Sequence, residues 1–172
     1  MSRLRTVMST LALAGALACA GAQATEVSMA GGGVTFTAPD AWLGIMETSG
    51  DPEARVFQVP DPSPTGKSSL ARVTVTVKHV NGAADFRQYI NAAATKAAAL
   101  PGYKGEPPAA DATRLAYTAE ESGVSAVYTE QYWLKNGLAV QLRCVRPAQS
   151  QAGAAWKAAF DKGCAGIAAQ LQ

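Results

Sequence analysis

Few residues in this chain have both the type and the spacing for chemistry, and two cysteines near its C-terminal end are the clearest of them. Cys144 shares one face of an alternating run with Leu138, Val140 and Leu142, as side chains two apart on a strand do. Cys164 belongs to the series Trp156, Phe160, Cys164, Ile167 and Leu171, whose spacings of four, four, three and four trace one face of a helix. A strand and the helix after it bury their apolar faces against each other, so the two sulfurs are expected to meet as a structural disulfide. Closing that loop of about 20 residues contributes roughly 3 kcal/mol in the chain-entropy account. The alternatives are two buried free thiols or a redox pair. The redox pair lacks the C-x-x-C spacing that usually generates a low-pKa attacking thiolate.

The remaining chemical candidates are weaker. His79 is the only histidine, so a Ser-His-Asp triad or a histidine zinc site has to use it, and no second nitrogen ligand exists. It ends a valine-rich strand and reads as structural or solvent-facing. Glu120 and Glu121 are adjacent, which on a strand sends them to opposite faces. With Ser122-Gly123 behind them they read as a solvated turn rather than a cooperating carboxylate pair. Gly66-Lys67-Ser68 matches the end of a phosphate-binding loop, but the first glycine of that motif falls on Asp61, and prolines 62 and 64 precede it. It reads as a turn. No catalytic residue, cofactor-binding residue or metal ligand is assigned, and the scarcity of histidine and of paired acids disfavours a hydrolase.

The elements that position these residues follow from periodicity. Gly31-Gly32-Gly33 leads into a short strand, Val34 to Thr37, stopped by Pro39-Asp40. Further strands are expected near Ile45 to Thr48 and over Ala54 to Val59. The segment PDPSPTGKSS is a surface loop, since prolines cannot feed a sheet ladder. Arg72 to Val80 is the clearest strand, with Val73, Val75 and Val77 on one face. Asn81 is expected to cap a helix from about Ala83 to Leu100, whose inward stripe is Phe86, Ile90, Ala93, Ala97 and Leu100. After a proline-rich loop come strands at Thr113 to Ala119, Val124 to Lys135 and Leu138 to Arg146, the last two joined by the hairpin signal Asn136-Gly137. A helix over Ser150 to Leu171 closes the chain. This order describes an α+β fold: an antiparallel sheet of about six to seven strands flanked by helices. Tyr128 and Tyr132 share a strand face with Glu130 and form a candidate partner surface, although covering helices favour their packing in the core.

The N-terminus addresses the chain. Arg3 and Arg5 precede an uncharged run from Val7 to Ala20, and Ala22-Gln23-Ala24 supplies a small-x-small cleavage pattern. The run is too short for the roughly 20 residues that span a bilayer. Residues 1–24 are therefore expected to be a signal peptide cleaved between Ala24 and Thr25, followed by a flexible lead over 25–33 and a single domain over 34–172. Ala16-Leu17-Ala18-Cys19 also resembles a lipobox, which makes lipidation of Cys19 and an envelope anchor the alternative. The expected location is a bacterial periplasm. The chain of 172 residues carries 15 Lys and Arg against 13 Asp and Glu, and without Arg3 and Arg5 the charge balances. That balance argues against nucleic acid as a partner, which requires a positive field.

Val34-Thr35-Phe36-Thr37-Ala38-Pro39-Asp40-Ala41-Trp42 resembles the strand and P-x-x-W that open many Mog1/PsbP-like domains. The likeness continues through the Arg72 to Val80 strand, the helix containing Asp85-Phe86-Arg87-Gln88-Tyr89-Ile90, the hairpin through Trp133 and Asn136-Gly137, and the closing helix with Trp156 and Phe160. It implies an α-β-α sandwich and a non-enzymatic accessory role with an unidentified protein partner. One form of that role is a periplasmic immunity protein against a secreted toxin. A small-ligand or lipid carrier is the other reading, and it requires a cavity between sheet and helix.

Overall fold

The computed structural model of the chain describes residues 24–109 and 111–172. The expected signal peptide, apart from Ala24, and the lipobox cysteine Cys19 lie outside them. Nine strands, β1 (Ala24–Met29), β2 (Val34–Pro39), β3 (Leu43–Thr48), β4 (Glu53–Gln58), β5 (Arg72–His79), β6 (Lys104–Gly105), β7 (Arg114–Glu121), β8 (Val124–Lys135) and β9 (Leu138–Pro147), are joined by helices α1 (Ala83–Ala98) and α2 (Gly153–Leu171). Seven strands make one antiparallel sheet in the order β3-β4-β5-β9-β8-β7-β6. The fold is α+β, with helices on both faces of that sheet.

Alternation sorts the side chains between the two faces. On one face, Val73, Val75 and Val77 of β5 join Leu138, Val140, Leu142 and Cys144 of β9 against Phe160, Cys164, Ile167 and Leu171 of α2. On the other, Phe86, Ile90 and Ala97 of α1 cover Leu115 and Tyr117 of β7, Tyr128 and Tyr132 of β8, and Ala139 and Val145 of β9. Asn136 and Gly137 turn β8 into β9 with φ of 49° and 79°, the left-handed pair that suits a two-residue hairpin.

Several expectations are corrected. The segment after Thr25 is a strand rather than a flexible lead. β1 pairs residue by residue with β2 as a separate two-stranded sheet, from Ala24 opposite Pro39 to Met29 opposite Val34. Met29, Val34, Phe36 and Ala38 all enter the α2-side core. The glycines make the hairpin possible instead of loosening it, since Gly31 and Gly32 take φ of 63° and 94° in a tight 3-10 turn. The cap of α1 also differs. Gly82 stands at the helix start without a side-chain cap, and the Asp85 carboxylate reaches back to accept the Asn81 backbone N–H at 3.0 Å. Within the proline-rich loop, Pro64–Lys67 forms one 3-10 turn, which places Gly66-Lys67-Ser68 in a turn with no following α-helix.

Candidate functional site

Helix α1 lies over β7, β8 and part of β9 but leaves the β5 side of the same face open. Between the helix and that uncovered half runs a cleft of about 860 Å³. Its helical wall is one side of α1, running from Asp85 and Tyr89 through Ala92 and Ala93 to Ala97 and Leu100, and its far rim is Lys78, His79 and Asn81. Its floor is polar, formed by Glu130, Gln141 and Arg143.

The ladder dictates that floor. Antiparallel pairing sets Glu130 of β8 opposite Arg143 of β9, and Tyr132 opposite Gln141. Glu130 is only 2% exposed, and a carboxylate taken that far from water must be compensated by donors. Oε1 accepts the Tyr117 hydroxyl at 2.7 Å and lies 3.2 Å from Arg143 Nε. That nitrogen lacks the alignment of a hydrogen bond, so the contact is an ion pair. Oε2 accepts Gln141 Nε2 at 2.8 Å and the Tyr132 hydroxyl. The Tyr89 hydroxyl donates to Gln141 Oε1 at 2.8 Å, which ties α1 to the floor. Arg143 Nη2 donates to the Tyr117 oxygen at 3.2 Å, and the guanidinium carbon sits 5.2 Å from the centre of the Tyr128 ring.

Beside this network, Arg72 of β5 forks onto Glu121 of β7, Nη1 to Oε2 at 2.7 Å and Nη2 to Oε1 at 2.5 Å. Tyr128 donates to the same Oε1. These donors, Arg72 first, outweigh burial and hold the Glu121 carboxyl below its ordinary value. Glu121 is therefore no solvated turn residue, whereas Glu120 beside it is exposed. The phenols shift the other way. Burial, then the neighbouring charge of Glu130, raises Tyr89 to about 12, and burial with the bond to Glu121 raises Tyr128 to about 12. Tyr117 and Tyr132 are pushed up further by burial and Glu130.

The polar groups of the floor are engaged with one another. Both oxygens of Glu130 are taken by donors, which leaves it no free lone pair aimed at the cleft to accept a substrate proton. Phenols held neutral into alkaline pH are poor bases at neutrality. Among the described residues no group of three His, Cys, Asp or Glu side chains is placed to hold a metal ion.

Cys144 and Cys164 form a disulfide that ties β9 to α2 on the face away from the cleft, with Cα atoms 6.5 Å apart. His79 ends β5 at the cleft rim, its side chain 73% exposed and Nδ1 3.8 Å from Asp51. Thr25 lies in β1, its hydroxyl 3.2 Å from Asp40. Tyr128 and Tyr132 are 0% and 2% exposed, so neither lines a partner surface: α1 covers both, and their hydroxyls are spent on Glu121 and Glu130. In the sequence Glu130 stands only as the neighbour of Tyr128 and Tyr132 on one strand face; its place between two inward tyrosines marks it as buried, and the structure makes it the central residue.

No family model matches the chain, and no curated protein matches it. Among solved structures, LpqN of Mycobacterium tuberculosis, described as involved in cell envelope biogenesis, is similar over 86% of this chain and 88% of its own, at 17% identity and a TM-score of 0.52. A Pseudomonas aeruginosa protein of unknown function, PA94, described as a putative regulator, is similar over 73% of this chain and 83% of its own, at 16% identity and a TM-score of 0.43. At that identity, the likeness to LpqN shows the fold alone. No described helix is long and apolar enough to cross a membrane.

Proposed function

We propose that this chain is a non-enzymatic binding module of a bacterial envelope with a Mog1/PsbP-like fold, exported to the periplasm, that holds a small ligand in the cleft between α1 and the sheet. The observation that carries the reading is the cleft floor of Glu130, Gln141 and Arg143, where Glu130 and Gln141 spend their polar groups on each other and on neighbouring tyrosines and so hold the partly exposed Arg143 in place. A fixed guanidinium with a donor to spare beneath an open cavity orients a ligand, and it favours one with a polar group over a wholly apolar lipid. The disulfide supports an oxidising compartment, and the envelope role described for LpqN is compatible with it.

Native mass spectrometry of the protein taken gently from its own periplasm, beside an Ala92→Trp variant that fills the cleft from the exposed side of α1, tests this. A discrete small mass on the wild type and its loss from the variant are expected. A mass that persists in the variant removes the cleft as its site. A second reading, a protein partner, has its own observation: the edge strand β3 leaves Leu43, Ile45 and Met46 between 46% and 56% exposed. A second polypeptide in the same spectrum would favour it, the toxin-immunity form included.

A further inference from the structure

We propose that the ligand of this cleft is a small amphiphilic anion, its acidic group seated on Arg143 between Lys78 and Lys96 and its apolar part laid along the alanine side of α1. The inference rests on the cleft being a binding site and deepens it by donor and acceptor inventory. Glu130 has both oxygens occupied. Gln141 accepts from Tyr89 through Oε1 and gives Nε2 to Glu130 and Tyr132. Arg143 differs. Nε faces Glu130 and Nη2 donates to Tyr117, but among the described residues Nη1 donates to nothing, and the side chain is 35% exposed.

The floor therefore offers a ligand donors and no vacant acceptor, which asks the ligand for acceptor oxygens. The walls set the charge of those oxygens. Lys78, Lys96 and Arg143 line the cleft against Asp85 and Glu130. Glu130 is neutralised by Arg143 at 3.2 Å, and Asp85 is engaged by the Asn81 N–H. Three cations against two carboxylates leave one positive charge in surplus, and a guanidinium with a free donor, in a cleft that two ammonium groups also line, suits a carboxylate or a phosphate monoester. Ala92, Ala93, Ala97 and Leu100 continue the wall with methyl groups, so an acid carrying a short alkyl portion satisfies both halves.

Isothermal calorimetry with octyl phosphate, inorganic phosphate and uncharged octyl glucoside on the purified full-length mature protein decides the matter. Octyl phosphate is expected to bind one to one, more weakly as salt is added, with inorganic phosphate weaker and octyl glucoside silent. Lys78→Gln with Lys96→Gln should weaken octyl phosphate by about tenfold at an unchanged melting temperature, and Arg143→Gln should remove binding. Because Arg143→Gln leaves Glu130 unpaired and can fail to fold, the lysine variant carries the test. No binding of octyl phosphate, octyl glucoside binding as tightly, or indifference to the lysine changes overturns the anion. Inorganic phosphate binding as tightly as octyl phosphate overturns the apolar half. If octyl glucoside binds and Ala92→Trp expels it, the cleft stands as a site and only its charge preference is lost.

Discussion

A β-carbon built on Gly163 of α2 would lie 2.4 Å from Trp42 Cζ2. The indole rests on the helix where the glycine leaves room, with its ring centre 6.3 Å from that of Phe160. Three residues further along the same helix, Gly166 has nothing within 4 Å of that position. The two glycines should therefore answer the same substitution with opposite signs. Gly166→Ala gains helix propensity of about 1 kcal/mol. Gly163→Ala makes the same gain but displaces the indole, and overpacking costs about 1–3 kcal/mol, so its net effect is a loss. Urea unfolding of both variants checks this, and equal shifts would show that Trp42 does not rest on α2.

The disulfide closes a loop of 20 residues between β9 and α2. Opening it with reductant, or replacing both cysteines by serine, should cost about 3 kcal/mol. For a domain of this size that is a fall of about 6–12 °C in melting temperature. Superimposable melts with and without reductant, or alkylation of both thiols in the untreated protein, would contradict the bridge.

Period and punctuation made most elements legible: the valines of β5, the stripe of α1, the Asn136-Gly137 turn and the five-residue face of α2 are each local signals. Two things were not local. The run Gly31-Gly32-Gly33 has the composition of a loose lead, and only β2 pairing back on Ala24–Met29 turns it into a hairpin. The cleft floor is likewise assembled by register. Glu130, Gln141 and Arg143, with Tyr117 bonded beside them, come from three strands, and no spacing in the sequence brings their polar atoms together. What the sequence did carry was the alternation that buries Glu130. A buried carboxylate demands partners, and Tyr132, two residues along, is one of them.

Alkaline pH should unfold the protein through its tyrosines. A free phenol ionises near 10, whereas Tyr89 and Tyr128 are held at about 12 in the fold and Tyr117 and Tyr132 higher. A folded value above the unfolded one means stability that is complete below pH 10 and is lost as the pH rises from there through about 12. The physical cause is that each phenolate would form in a buried site, beside Glu130 or Glu121. Phenolate absorbance from these four side chains should therefore appear together with loss of circular dichroism. Their ionisation ahead of unfolding would show that the hydroxyls are not held by Glu130, Glu121 and Gln141.

The central carboxylate offers the sharpest stability test. Glu130→Ala removes the acceptor of two phenols and an amide and leaves the Arg143 charge without its partner. Breaking a buried pair on one side typically costs about 3–5 kcal/mol. The lower end applies here because Arg143 is 35% exposed and can turn toward water. Tyr132→Phe removes one donor and leaves the others in place, so a loss of about 1–3 kcal/mol is expected. Because the two residues share a hydrogen bond, the double variant should cost less than the two single losses added together. A strictly additive cycle would mean that Tyr132 and Glu130 act independently. A neutral Glu130→Ala would mean that the polar floor is not what fixes β8 against β9, and that Arg143 reaches the cleft without it.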